Sequence, residues 1–238
     1  MSLQFVVLTC DSYLDSRVVD LRNTFLSNQN RVFLSDTISH LEDVVGYNTP
    51  KNYDGIQDKY IQFFKNYDFS KFEYYFFIDD DTFVNVSNLQ KLKLPDSAEK
   101  HCIYRLCYLS ERGLDYHGNN TGYPIFKIKN VSLPVYHPSG GSGFILTKEC
   151  CLKLQSYLNN LEYNKIPISA HGDVTIGFWL RECNVNMIPN SQLWWAKPEE
   201  LYSNKDWPFN EESEKEFITF HYIKDELVHE YQKKYNQI

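Results

Sequence analysis

Apolar residues in this chain fall into short unbroken runs, separated by stretches with helical spacing. Phe5-Val6-Val7-Leu8-Thr9, Arg31-Val32-Phe33-Leu34-Ser35-Asp36 and Phe72-Glu73-Tyr74-Tyr75-Phe76-Phe77-Ile78 read as buried strands. The third leads straight into Asp79-Asp80-Asp81. Between the first two strands, Arg17 to Leu26 puts Val18, Leu21, Phe25 and Leu26 on one helical face, with Ser12, Asp15 or Ser16 available as a cap. The opening is therefore strand, helix, strand. In open α/β sheets ligands gather at the carboxyl ends of the strands, here Thr9 and Asp36. No Gly-rich loop joins the first strand to its helix, which argues against a dinucleotide fingerprint or a P-loop.

The rest of the chain continues the mixture. Tyr53 to Tyr67 is predicted helical, with Ile56, Tyr60, Ile61 and Phe64 inward, and Val86 to Leu94 is a shorter helix closed by Pro95. His101 to Leu109 reads as one strand and Pro124 to Val135 as an edge strand. Thr147 caps a helix reaching about Leu161, and Asp173 precedes another from Val174 to Cys183. Asn184 to Trp195 is strand-like, Phe217 to Ile223 a final strand, and Asp225 to Tyr235 a terminal helix. Residues 40–52, 111–121 and 199–216 are polar or charged and read as irregular.

Composition narrows the class. A chain of 238 residues without a linker-like stretch or internal repeat suits one large α/β domain or two small ones. Aromatics reach 16%, with 18 Tyr and 16 Phe, which a biased genome or a sugar- or base-stacking surface would equally produce; composition favours the former. The net charge of -7, with no Lys/Arg run, argues against a nucleic-acid partner, so an anionic ligand would be met by a metal. No apolar stretch approaches the roughly 20 residues of a membrane span, and Met1-Ser2-Leu3-Gln4 lacks a basic leader, so the chain is expected to be cytoplasmic. The 6 Cys are expected to be free or buried thiols. Asn85-Val86-Ser87 is a glycosylation sequon so close to the aspartates that a glycan would crowd them.

Three adjacent carboxylates at a strand end repel one another unless a cation or full solvation relieves them. A calcium loop of the EF-hand type is excluded, because neither the turn glycine nor the closing Glu follows. A two-metal hydrolase would need further acids, and only Asp36 and Asp173 fall in comparable places. A solvated turn remains open on these residues alone.

Five stretches in order are similar to one family. Arg17 with Arg22-Asn23-Thr24-Phe25 resembles an Arg-rich helix ending in Thr-Trp. Phe77-Ile78-Asp79-Asp80-Asp81-Thr82-Phe83-Val84 resembles an Asp-Asp-Asp-Thr-Tyr-Val motif, and Gly140-Gly141-Ser142-Gly143-Phe144-Ile145-Leu146 a Gly-Gly-Ala-Gly segment. Gly172-Asp173-Val174-Thr175-Ile176-Gly177 resembles an acidic-Asp-Val-x-x-Gly motif, and Phe220-His221-Tyr222 a closing Phe-His pattern. Together they resemble the Fringe-like β1,3-glycosyltransferases.

The resemblance implies a GT-A fold: a single α/β domain over 1–238 with a mixed central sheet, its nucleotide-binding part at about 1–95 and its acceptor-binding part at about 96–238. It implies a UDP-sugar donor, Mn²⁺, an acceptor glycan or glycoprotein, and inversion at the sugar. Asp81 and His221 would ligate the metal. Asp79 and Asp80 would reach donor or metal-bound water, with Thr9, Arg17, Asp36, Gly141 and Ser142 also facing the donor. Asp173 would be the general base and the N-cap of its helix at once. Trp194 and Trp195 would offer acceptor-stacking faces, at least one being core, since neighbours in a strand point to opposite sides. The chain departs from the family in lacking a membrane anchor and in having Gly172 where the last motif carries a second acid, which fits a bacterial or viral type of enzyme. The competing expectations are a catalytically idle carbohydrate-binding or interaction protein on the same fold, and a metal-dependent phosphoesterase.

Overall fold

The computed structural model describes residues 2–51, 54–109, 135–169, 171–205 and 208–236. The strands are β1 (Leu3–Leu8), β2 (Arg31–Ser35), β3 (Val44–Gly46), β4 (Tyr74–Asp79), β5 (Phe83–Val84), β6 (His101–Tyr104), β7 (Leu106–Leu109), β8 (Val135–Pro138), β9 (Phe144–Thr147), β10 (Asn186–Pro189) and β11 (Thr219–Phe220). The helices are α1 (Arg17–Asn23), α2 (Asp54–Asn66), α3 (Val86–Leu89), α4 (Lys148–Asn159), α5 (Gly172–Glu182), α6 (Pro198–Ser203), α7 (Glu211–Glu216) and α8 (Glu226–Tyr235).

Seven strands form the central sheet in the order β10-β6-β9-β4-β1-β2-β3. Pairing is parallel except at β9, which lies antiparallel between β4 and β6. The sheet is therefore mixed. Residues alternate between its faces, and both faces are buried, which is why its strands are unbroken apolar runs. Phe5, Val7, Phe33, Phe76 and Ile78 face one layer with α1 and α8. Val6, Val32, Leu34, Tyr75 and Phe77 face the other, with α2, α4 and α5. Phe77 shows how tightly β4 is held: it pairs with Phe144 across the strands, rings stacked at 5.0 Å, and also stacks on Phe64 of α2 at 5.5 Å. Burying one such side chain contributes roughly 1.5–3 kcal/mol.

Several expectations shift in detail. The loop expected at 40–52 contains β3, an edge strand too short to show a period. The predicted strand 101–109 is cut at Arg105, β6 staying in the central sheet and β7 pairing with β8. The break lets the Arg105 guanidinium reach the Ser191 carbonyl (3.1 Å) and lie 4.4 Å over the Trp194 ring, contacts a buried strand position would deny it. The predicted strand 217–223 shrinks to β11 because Tyr222 has φ +62 and turns the chain. Residues 199–216 carry two short helices, α6 and α7. Of the expected edge strand from Pro124, only its last residue is described, within β8, and the expected loop 111–121 lies outside the described residues.

Thr147 caps α4 as expected, its hydroxyl accepting from the Cys150 amide. Asn85 of the sequon is buried and caps α3 through the Asn88 amide. All six cysteines are free thiols, and Cys102, Cys150, Cys151 and Cys183 are buried. No helix among the described residues is long and apolar enough to cross a membrane.

Candidate functional site

The acidic turn sits at the carboxyl end of β4, in the middle of the sheet. Past Phe77 the strand loses its β9 partner, and the chain turns through Asp80 N–H to Leu8 O (3.0 Å) and Thr82 N–H to Asp79 O (3.1 Å). The three carboxyls then part company. Asp80 is buried and turned toward β1: Thr9 Oγ1 donates to its Oδ2 (2.7 Å) and Arg17 Nη1 to its Oδ1 (2.7 Å). Behind Thr9, the buried Lys59 of α2 donates to the Thr9 carbonyl at 2.6 Å. Each Asp80 oxygen thus accepts from a protein group.

Asp81 lies between Arg17, whose Nη1 is 4.0 Å from its Oδ2, and His221. Its Oδ1 is 3.0 Å from His221 Nε2, and Asp79 Oδ2 is 3.9 Å from the same nitrogen. One donor atom from each of Asp79, Asp81 and His221 lies within 4.8 Å of the others, the only such cluster among the described residues. Two carboxylates and an imidazole are an oxygen-and-nitrogen set that suits Mn²⁺ better than Mg²⁺. The protein backbone holds this cluster from two sides. Ile223 N–H donates to the Asp81 carbonyl at 2.8 Å. Gly141 lies flat against the imidazole, and a Cβ there would fall 2.1 Å from His221 Nδ1. Thr82 Oγ1 donates to the Gly141 carbonyl (2.9 Å), fixing that segment to the aspartate turn.

The electrostatics are those of crowded acids. Burial pushes Asp79 up to about 7, against the His221 charge and with the help of Asp81, Asp80 and Asp173. Asp80 is also raised, burial outweighing its bonds to Thr9 and Arg17. Asp81 is lowered: burial opposes this, but the hydrogen bond and charge of His221, and the charge of Arg17, prevail. His221 is raised despite its burial, through Asp81 first and then Asp79.

Across the cleft stands Asp173. It lies inside the first turn of α5, whose N-cap is His171, so the expected capping role is corrected: the helix begins two residues earlier than the pattern showed. Asp173 Oδ1 accepts from the Val174 amide (2.8 Å), and Oδ2 accepts from the Gly140 amide (3.3 Å) with His137 Nδ1 at 3.8 Å. Asp79, Gly140, Gly141, Asp173, Trp195 and His221 all line one open cleft of about 490 Å³.

The remaining expected site residues divide. Asp36 is buried and accepts from the Asp11 amide at 2.8 Å. Ser142 is buried with its hydroxyl donated to the Ser139 carbonyl (3.0 Å), so its side chain does not serve the cleft. Trp194 is 3% exposed and packs on Phe209, which corrects its expected acceptor contact; Trp195 alone of the pair lines the cleft. Sequence reasoning passed over Lys59, His171 and Tyr222. The first had a signal, since Ile56, Lys59, Tyr60 and Phe63 share one helical face. His171 adjoins a quoted motif, and Tyr222 was quoted within one without a role.

The solved structure of galactosyltransferase LgtC in complex with donor and acceptor sugar analogs is similar in fold: TM-score 0.50 at 11% identity, covering 99% of this chain and 97% of that one. A glycosyltransferase involved in glycosylation of the major capsid of PBCV-1 aligns at TM-score 0.45 and 11% identity, over 97% of this chain and 100% of that one. A search of curated protein sequences finds no match. The architecture is the GT-A fold. The model of the Fringe-like family matches residues 2–229, nearly the whole chain, and this protein therefore belongs to the Fringe-like family of glycosyltransferases.

Proposed function

We propose that this chain is a metal-dependent, inverting glycosyltransferase that moves a hexose from a UDP-sugar to a hydroxyl of an acceptor glycan or glycoprotein, forming a β1,3 linkage. The observation that carries the reading is the shared cleft: Asp79 and His221, which cluster with Asp81, line the same space as Asp173. Those three residues would hold the metal, with Mn²⁺ matching the donor set. A cation there supplies Lewis-acid neutralisation of the charge that develops on the departing diphosphate. Arg17 and Thr9 hold Asp80 in place at the end of β1, where donor ribose and phosphates would approach, with Asp36 beside them.

Asp173 takes the proton of the acceptor hydroxyl. As that O–H bond breaks, the acceptor oxygen bonds to the anomeric carbon from the face opposite the nucleotide. The bond from that carbon to the diphosphate oxygen breaks, and UDP leaves with its electron pair. General-base assistance of this kind is worth about 10²–10⁴ in rate. The Gly140 amide keeps Asp173 aimed, and Trp195 offers the acceptor an aromatic face. On this reading residues of about 1–95 serve the nucleotide and those of about 96–238 the acceptor.

Calorimetry with UDP and Mn²⁺, together with a transfer assay over a panel of UDP-sugars, tests the proposal. Asp81→Asn is expected to weaken metal-dependent UDP binding. Asp173→Asn is expected to bind UDP normally and to lose transfer by about 10²-fold or more. Absence of UDP binding under any divalent metal would favour an idle binding protein instead, and full activity of Asp173→Asn would remove it as the base.

A further inference from the structure

We propose that Tyr222 is a positioning residue, its ring holding the His221 imidazole in the orientation that points Nε2 at Asp81. The inference rests on the reading of Asp79, Asp81 and His221 as a cation site. Tyr222 has φ +62. A bulky residue adopts that backbone only under strain, and such strain persists where the surroundings hold it and tends to mark functional sites. Here the surroundings are identifiable. On one side Phe220 is paired to Phe83 in the β5–β11 ladder; on the other, Ile223 N–H is bonded to the Asp81 carbonyl at 2.8 Å. Turning the chain at 222 brings the side chain of 221 and the amide of 223 onto one residue, Asp81, whose Oδ1 lies 3.0 Å from His221 Nε2.

Glycine would make this turn without strain. A tyrosine there needs a reason other than the turn, and burial does not supply one, because its side chain lines the cleft and is 46% exposed. The ring supplies it. Tyr222 stacks on the imidazole with centroids 3.8 Å apart and planes at 27°. With the backbone of Gly141 pressed against the same imidazole, the ring of His221 has little freedom to rotate. Contacts that fix a ligating histidine are worth as much to a metal site as the geometry they preserve.

The test compares wild type, Tyr222→Phe and Tyr222→Gly, using Mn²⁺ alone as the calorimetric probe. Tyr222→Phe is expected to stay within about twofold of wild type, and Tyr222→Gly to bind about tenfold more weakly, the usual cost of losing a residue that supports a ligand. Thermal unfolding of the glycine variant should stay within about 4 °C of wild type, which separates positioning from collapse of the fold. In the metal-free proteins, the His221 ring resonances should be sharp in wild type and Tyr222→Phe, and broadened in Tyr222→Gly. Equal Mn²⁺ affinity in wild type and Tyr222→Gly, or equal loss in both variants, would overturn the role, as would a His221 ring just as ordered without its neighbour. A wild type that binds no divalent cation would refute the cation reading, and the ring-order comparison would still decide the positioning role.

Discussion

The Asp79 carboxyl, held up to about 7, makes the metal-free site sensitive to pH. Its folded-state value lies above the ordinary 3.8, so the folded protein binds this proton more tightly than the unfolded chain does. The stability it contributes is present at low pH and is lost as pH rises from about 4 to about 7. His221, also raised, acts in the same direction: its contribution is full below 6.5 and is lost as pH climbs through its higher folded value. Asp81, lowered, acts oppositely, but only in acid. The metal-free protein should therefore unfold more readily at about pH 8 than at about pH 5, with Mn²⁺ removing much of the difference because it takes the proton's place. Thermal unfolding at both pH values, with and without Mn²⁺, checks this; a metal-free protein more stable at the higher pH would contradict it. Gly141 offers a second residue-scale test. Gly141→Ala puts a methyl 2.1 Å from His221 Nδ1, so the ring must move, and Mn²⁺ affinity should fall by about tenfold or more. At this scale the sequence was legible where chemistry is written in residue type, as in Asp79-Asp80-Asp81. It was not legible where orientation decides. Nothing in the order of letters says that Asp80 turns to Thr9 and Arg17 while Asp79 joins Asp81 beside His221.

At the scale of elements, α5 carries Asp173 and is seated on β8 through a missing side chain. A Cβ on Gly177 would lie 2.5 Å from His137 Cβ and 2.9 Å from the Tyr136 carbonyl. Replacing a helical glycine by alanine ordinarily gains up to about 1 kcal/mol, but overpacking here would cost about 1–3 kcal/mol and push the helix outward. Gly177→Ala should lower the unfolding temperature and slow transfer while UDP affinity stays near wild type, because the metal cluster lies on other elements. A joint loss of UDP affinity would show that α5 supports the nucleotide site as well. Elements with long periodic faces, α2 and α4 above all, were readable from their spacing, as was the buried run of β4. Short ones were not. β3 has three residues and β11 two, too few for a period, and they exist because neighbouring strands offer them partners. The cut at Arg105 is likewise set by Trp194 and Ser191, both about 90 residues away in the chain.

Across the whole molecule, the cation cluster joins positions 79 and 81 to position 221, so a bound metal ties the central sheet to the segment after β11. Mn²⁺ at about a hundred times its dissociation constant should add about 2.7 kcal/mol to the folded state. The unfolding temperature should rise with Mn²⁺ in wild type and not in Asp81→Asn, and an equal rise in both would place the cation elsewhere. The α/β class was foreseeable from the succession of runs and helical faces, and the mixed sheet from the family resemblance. The place of β9 was not, because an apolar strand does not announce its direction. That place has a consequence for how the protein is made. β4, the most aromatic strand, emerges from the ribosome with β1 ready beside it, but its other edge stays bare until β9 has been synthesised, more than sixty residues later. During that interval an open rim of unpaired amides and phenyl rings is presented to the cell, and slow translation between the two strands should favour clumping of nascent chains.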